Sequence, residues 1–209
     1  MTIVRRGVLA AVLVGVTGLG GAAAPAAASA FWFLPDGRVA REPTVPERRR
    51  AATFVTSARA AMVAWTDPTR AMAAGYEPDS QGVIVHYLDP TRLLGPSEAP
   101  DPTRPTALVF AVVRGSPHLA GAMWMMAFPS TAGADFGGPI TPWHAHVACR
   151  SAYTVRLVAR GAACAPREVR EISPEMLHVW RAGVLDPFAS DMSLPALVCT
   201  LGLRPAAPG

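Results

Sequence analysis

The chain reads as α+β, with helices near its N-terminus, then a mainly antiparallel sheet, then a short C-terminal helix. Three observations carry this. Between residues 47 and 65 apolar side chains recur every three or four positions, the period of an amphipathic helix. From Val83 onward, six short apolar runs are separated by Pro, Gly and Asp. Of the 209 residues 51% are hydrophobic and only 16% charged, which excludes an intrinsically disordered chain.

Residues 1–30 have the form of a secretory leader. Arg5 and Arg6 supply a basic start, Val8 to Val16 an apolar stretch, and Ala28-Ser29-Ala30 a small-residue cleavage site. The apolar stretch is interrupted by Gly15, Gly18, Gly20 and Gly21 and is short for a membrane span, so a retained anchor is the weaker reading. A general secretory signal fits better than a twin-arginine one, because paired arginines are common in ordinary leaders. Residues 31–46, with Phe31, Trp32 and Phe33 followed by prolines, form an extended arm. Residues 47–209 form one globular domain.

Within that domain, Ala51, Phe54, Val55, Ala58, Met62 and Trp65 mark one face of the first helix. Asp67-Pro68 is an N-cap followed by proline, which starts a second short helix that runs to about Ala74 and ends at Gly75. The expected strands are Val83–Leu88, Ala107–Arg114, His118–Phe128, Trp143–Cys149, Tyr153–Ala159 and Met176–Trp180. Such a sheet can curl or close toward a small barrel. Pro195–Leu203 is a short helix covering one edge or end. Asp-Pro-Thr-Arg occurs at 67–70, 89–92 and 101–104, with unequal spacing, so it marks turns rather than a structural repeat.

The formal charge of +4 suggests a polyanionic partner at first sight. Every basic residue is Arg, however, and about a fifth of the chain is Ala, a compositional bias with little functional content. Removing the leader takes 19 basic residues to 17 against 15 acids, about +2. Arg48-Arg49-Arg50 sits at a helix start, where a solvated face explains it, and basic patches interleaved with aromatics are missing. Nucleic acid is therefore not an expected partner. Nor is stable membrane insertion once the leader is cleaved; a metal ion or small molecule is the expected ligand.

Three cysteines in an exported chain point to disulfide chemistry. All three pairings are open, and Cys149–Cys164 is favoured because it brackets a strand-like run and the turn Arg160-Gly161. Cys199 is then left over, in an apolar segment that suits a buried thiol.

The histidines are the expected site. In Trp143-His144-Ala145-His146 a strand puts both imidazoles on one face, about 6.5–7 Å apart, which suits shared ligation of a metal ion. His86 and His178 each interrupt an otherwise apolar strand, where an imidazole must be hydrogen-bonded, neutral or metal-bound. His144, His146, His86 and His178 are thus the candidate ligands for zinc or copper. His118, after Ser116-Pro117, is expected in a turn and outside this set. Cys149 lies near enough in sequence to be a thiolate ligand, but a disulfide is its expected fate. On the strand 118–128, alternation separates Met123 and Met125 from Trp124 and Met126; thioethers suit Cu(I), although sheet core is the commoner use of such a run. Glu77, Asp79 and Asp135 are the carboxylates that could orient a histidine or act as a base.

No nucleophile elbow, phosphate-binding glycine loop or His-Glu-x-x-His is present, which argues against serine hydrolases, nucleotide-dependent enzymes and zincin proteases. Taken in order, Ala73 to Pro78 (AAGYEP), His86 to Pro90 (HYLDP), Asp101 to Leu108 (DPTRPTAL), Leu119 to Met126 (LAGAMWMM), Gly137 to Cys149 (GGPITPWHAHVAC), Met176 to Trp180 (MLHVW) and Asp186 to Ala189 (DPFA) resemble a family of exported bacterial proteins with no assigned activity. The resemblance spans about residues 50 to 190. It implies that His86, His144, His146 and His178 belong to the family pattern. More distantly, Gly138 and His144-x-His146 resemble the opening of the cupin metal motif, but Arg150 and Ser151 stand where a ligating glutamate would follow. Three functions are then expected in turn. They are an exported metal-binding protein, a non-enzymatic binding or structural protein with hydrogen-bonded core histidines, and a metal-free enzyme pairing a histidine with a carboxylate.

Overall fold

The computed structural model describes residues 32–33, 41–80, 82–152, 155–181, 186–190 and 194–203. The expected leader lies outside them. Strand β1 is Trp32–Phe33, helix α1 Val45–Met62, helix α2 Pro68–Ala73, and strands β2 to β5 are Glu77–Pro78, Ile84–Leu88, Ala107–Val113 and Ser116–Met125. Strands β6 to β9 are Ala145–Arg150, Val155–Val158, Val169–Ile172 and Met176–Trp180, and helix α3 is Leu194–Thr200. The expected α+β architecture is present.

Local chemistry explains the helices. Thr44 and Glu47 form a reciprocal capping box at the start of α1, the Thr44 N–H donating to Glu47 Oε2 at 2.7 Å and the Glu47 N–H to Thr44 Oγ1 at 3.4 Å. Arg41 adds an ion pair to the same carboxylate and, with the cap, holds it well below the usual range. Asp67 caps α2 by accepting from the Thr69 N–H, and Gly75 ends it at φ +97°. The expected helix 47–65 is α1 continued by a 3₁₀ turn over Val63–Trp65.

Two antiparallel sheets follow. One has the order β2-β3-β4-β5-β9; in the other, β6 pairs with β1, β7 and β8. β8 leads through Ser173-Pro174-Glu175 directly into β9. At that break, His144 and Met176 exchange backbone hydrogen bonds of 3.0 and 2.8 Å, so the end of β6 abuts the five-stranded sheet. Helix α1 buries Ala51, Phe54, Val55, Ala58 and Met62 against one face, with Leu108, Phe110, Trp124, Leu177 and Val179. Phe54 meets Trp124 edge-on at 4.8 Å. The opposite face carries Ala107, Val109, Met123, Met176 and Trp180, packed against Leu197 of α3.

Several expectations need correction. His118 lies within β5, opposite Ala111, because the Arg114-Gly115 turn with both residues at positive φ starts the strand at Ser116. Strands β2 and β8 were not expected; both are held by backbone pairing while their side chains are largely exposed. Tyr153 and Thr154, at the start of the expected strand 153–159, lie outside the described residues, as does half of the extended arm. The disulfide is Cys149–Cys164, with Cα atoms 5.5 Å apart. Cys199 is an exposed free thiol rather than a buried one, since α3 turns Leu197 inward and Cys199 outward.

Candidate histidine site

Trp143, fully buried and donating its indole N–H to the Ala134 carbonyl at 3.1 Å, anchors the approach to β6. The next residue, His144, is also fully buried, at the junction of the two sheets. Its Nδ1 lies 3.1 Å from the Pro142 carbonyl. Two residues on, His146 emerges on the same side and is partly buried, its backbone N–H donating to Ser173 Oγ at 2.9 Å. The two rings have centres 5.3 Å apart and stand at 90°.

The pairing of His144 with Met176 places His178, two residues further along β9, on the same side. Its ring centre is 5.1 Å from that of His144. His178 is 5% exposed, and its Nδ1 has no hydrogen-bond partner among the described residues. On its other side Trp180 stacks at 5.2 Å with 19° between the planes, held by an indole N–H bond to the Ala189 carbonyl at 2.6 Å. That stack requires Gly121. A Cβ there would meet the Val179 carbonyl oxygen at 2.8 Å and Trp180 Cε3 at 2.9 Å.

His86, on β3, approaches from the partly exposed rim of this face. Asp79 grips it twice, accepting from its backbone N–H at 3.0 Å and facing Nδ1 at 3.1 Å. Burial raises the Asp79 carboxyl, but its hydrogen bond with His86 and that ring's charge outweigh this and leave it below the ordinary value.

Burial pushes the His144 imidazole down to about 4, with His146 adding to the effect and backbone hydrogen bonds at Pro142 and Ser190 opposing it. Burial also holds His178 well below its ordinary value, and the charges of His144, His86 and His146 each push it the same way. Both inner rings are therefore neutral near pH 7, the form that can ligate a metal. All four sequence-predicted histidines face one region: three rings form a chain centred on His144, and His86 lies at its edge.

The carboxylates divide. Asp79 orients His86. Glu77 is exposed on β2, and Asp135 instead accepts from the Gly138 N–H at 2.8 Å, capping a 3₁₀ turn. Neither has a described contact with a histidine. Sequence reasoning also missed Trp180 as the lid on His178, although the i, i+2 spacing in MLHVW carries that information. Among the described residues, three side chains with ligand-type atoms all within 4.8 Å of one another are Cys149, Cys164 and Glu168. Two of these sulfurs are spent in the disulfide. The histidine nitrogens are more dispersed, so drawing three onto one ion needs a ring to turn about its side-chain torsions. No family model, curated protein or solved structure matches the chain.

Proposed function

We propose that the chain is an exported transition-metal-binding protein in which His144, His146 and His178, with His86 at the rim, take zinc or copper. The ring spacing carries this reading. With metal–nitrogen bonds of about 2.0–2.1 Å and a ring centre about 1.1 Å behind each nitrogen, two imidazoles at a tetrahedral angle have centres about 5.2 Å apart. The spacings here are 5.3 and 5.1 Å. Asp79 on His86 Nδ1 and the Pro142 carbonyl on His144 Nδ1 are the outer partners that metal-bound histidines commonly have. The Cys149–Cys164 disulfide supports an oxidising, extracytoplasmic setting. No helix among the described residues is long and apolar enough to cross a membrane.

The second reading is a non-enzymatic exported binding or structural protein with core histidines. It is favoured by the same bonds to Asp79 and Pro142, which satisfy one nitrogen of each ring without an ion. It leaves unexplained the buried Nδ1 of His178, a group whose desolvation costs about 1–3 kcal/mol when unpaired.

Elemental analysis of protein exported by its own leader and purified without a histidine tag separates the two. The metal reading expects near-stoichiometric zinc or copper that His144→Ala and His178→Ala deplete, and a melting temperature lowered by chelators. Trace metal unaffected by either substitution, with a chelator-insensitive melt, leaves only the core-histidine reading.

A further inference from the structure

The strand register beside the histidines brings sulfur to the same place. Met123 stands directly opposite His178, and Met125 opposite Met176. Met176 in turn bridges to His144. Residues opposite one another in an antiparallel pair have Cβ atoms about 4.5–5.5 Å apart and project to the same side, so the thioethers of Met123 and Met176 and the imidazoles of His144 and His178 share one face. Met123 and Met176 are buried in one cluster with Trp180, and Met125 packs against that cluster half-buried.

The interior of the same face is devoid of hard ligands. Read across the sheet, it carries Ile84, His86 and Leu88 on β3, Ala107, Val109 and Ala111 on β4, Gly121, Met123 and Met125 on β5, and Met176, His178 and Trp180 on β9. No carboxylate is among them; the one that shares this face on β2, Glu77 opposite Leu88, is exposed at the sheet edge. The acidic neighbours point elsewhere: Asp79 is committed to His86 at the rim, and Glu175 accepts from the Gly133 N–H at 3.0 Å. The buried donors are thus imidazole nitrogen and thioether sulfur, and one of them, His178 Nδ1, is buried with no hydrogen-bond partner among the described residues.

From this we infer that the ion is copper(I), held by His144 and His178 together with the thioethers of Met123 and Met176. Thioether sulfur is a soft donor that selects Cu(I), whereas zinc gains little from it and oxygen-seeking ions find no buried carboxylate on this face. Neutral donors in an apolar setting suit a monovalent ion better than a divalent one, whose charge they would leave uncompensated. This inference rests on the metal-binding reading above and adds which ion the site prefers and why.

The test uses the exported chain carrying Cys199→Ser, because the exposed Cys199 thiol would itself bind Cu(I). Ascorbate keeps copper reduced, and a colorimetric Cu(I) chelator competes for it; Zn(II) is titrated in parallel. Met123→Leu and Met176→Leu keep side-chain volume and disturb folding little, as a melt in the absence of metal verifies. The expected result is one Cu(I) per chain, weakened about tenfold or more by each Met→Leu change while Zn(II) binding stays nearly constant. X-ray absorption should show sulfur neighbours of copper that vanish in the double variant. If copper binds but the Met→Leu variants leave its affinity and spectrum unchanged, the thioether inference falls while the histidine site stands. If Cys199→Ser abolishes binding, the copper was on that thiol, and the inference falls. If neither Cu(I) nor Zn(II) binds the intact chain, the metal-binding reading falls with it.

Discussion

At the residue scale, the site depends on one glycine as much as on its imidazoles. Gly121 lies under Trp180, which stacks on His178, and a methyl group in its place would press on the Val179 carbonyl and the indole. Gly121→Ala is expected to cost about 1–3 kcal/mol, the usual range for overpacking, in a urea melt. Because the strain falls on the ring that covers His178, the variant should also alter tryptophan fluorescence in the folded state. An unchanged stability would mean that the Val179 backbone gives way freely. The histidines themselves were legible in the sequence, since His-x-His on a strand and a lone His in an apolar run are both abnormal for a packed sheet. Their partners were legible only in part. Glu77, Asp79 and Asp135 were equivalent candidates, and only the β2–β3 pairing, which turns Asp79 back onto His86, distinguishes them. Cys199 was misread because a buried and an exposed position of a short helix both sit in the same apolar sequence.

Elements whose cause is local were read closely. Each Asp-Pro-Thr-Arg does the same thing: Asp67, Asp89 and Asp101 accept from the N–H of Thr69, Thr91 and Thr103 at 2.9, 3.0 and 2.8 Å. That chemistry needs no tertiary partner, so it is visible in four residues. β2 and β8 are the opposite case, short strands that exist because β3 and β6 offer them a backbone edge. The β7–β8 loop belongs with neither, because a covalent bond from Cys164 ties it to β6. Cys149 sits fully buried near the C-terminal end of β6, and its bond to Cys164 closes a step of 15 residues. Loop-closure entropy gives such a bond about 3 kcal/mol. Substituting both cysteines by alanine should therefore lower stability by roughly that amount, read from denaturant midpoints at unchanged slope. His144 and His146 precede Cys149 along the chain, and His178 and His86 lie on β9 and β3, so copper or zinc binding should persist in the variant at a temperature where it remains folded. Loss of binding from a folded variant would mean that the disulfide, and not the β6–β9 junction, sets the positions of His144 and His146.

For the whole molecule, the two sheets meet where the imidazoles are buried, and this ties global stability to their protonation. His144 is pushed down to about 4 and His178 further below its ordinary value, both chiefly by burial, whereas the unfolded chain binds protons near pH 6.5. Above that pH neither state carries the proton and the burial has no pH cost. As pH falls below 6.5 the unfolded chain takes up protons that the folded chain refuses, so stability falls, by up to about 1.4 kcal/mol per pH unit for each such ring. The stabilised carboxylates Asp67, Asp89, Asp101 and Glu168 are all lowered, so their contribution stays intact until the pH approaches the ordinary carboxylate range near 4. The interval from pH 6.5 to about 4.5 therefore isolates the histidines. Urea melts of the metal-free protein across it should show a steady loss of stability, and a bound metal should delay that loss because ion and proton compete for the same nitrogens. A metal-free protein equally stable at both ends of the interval would mean that His144 and His178 accept protons in place, with water or a shifted backbone carbonyl receiving the charge. The face between β5 and β9 would then be open and polar, and the apolar setting that favours a soft monovalent ion over zinc would be lost.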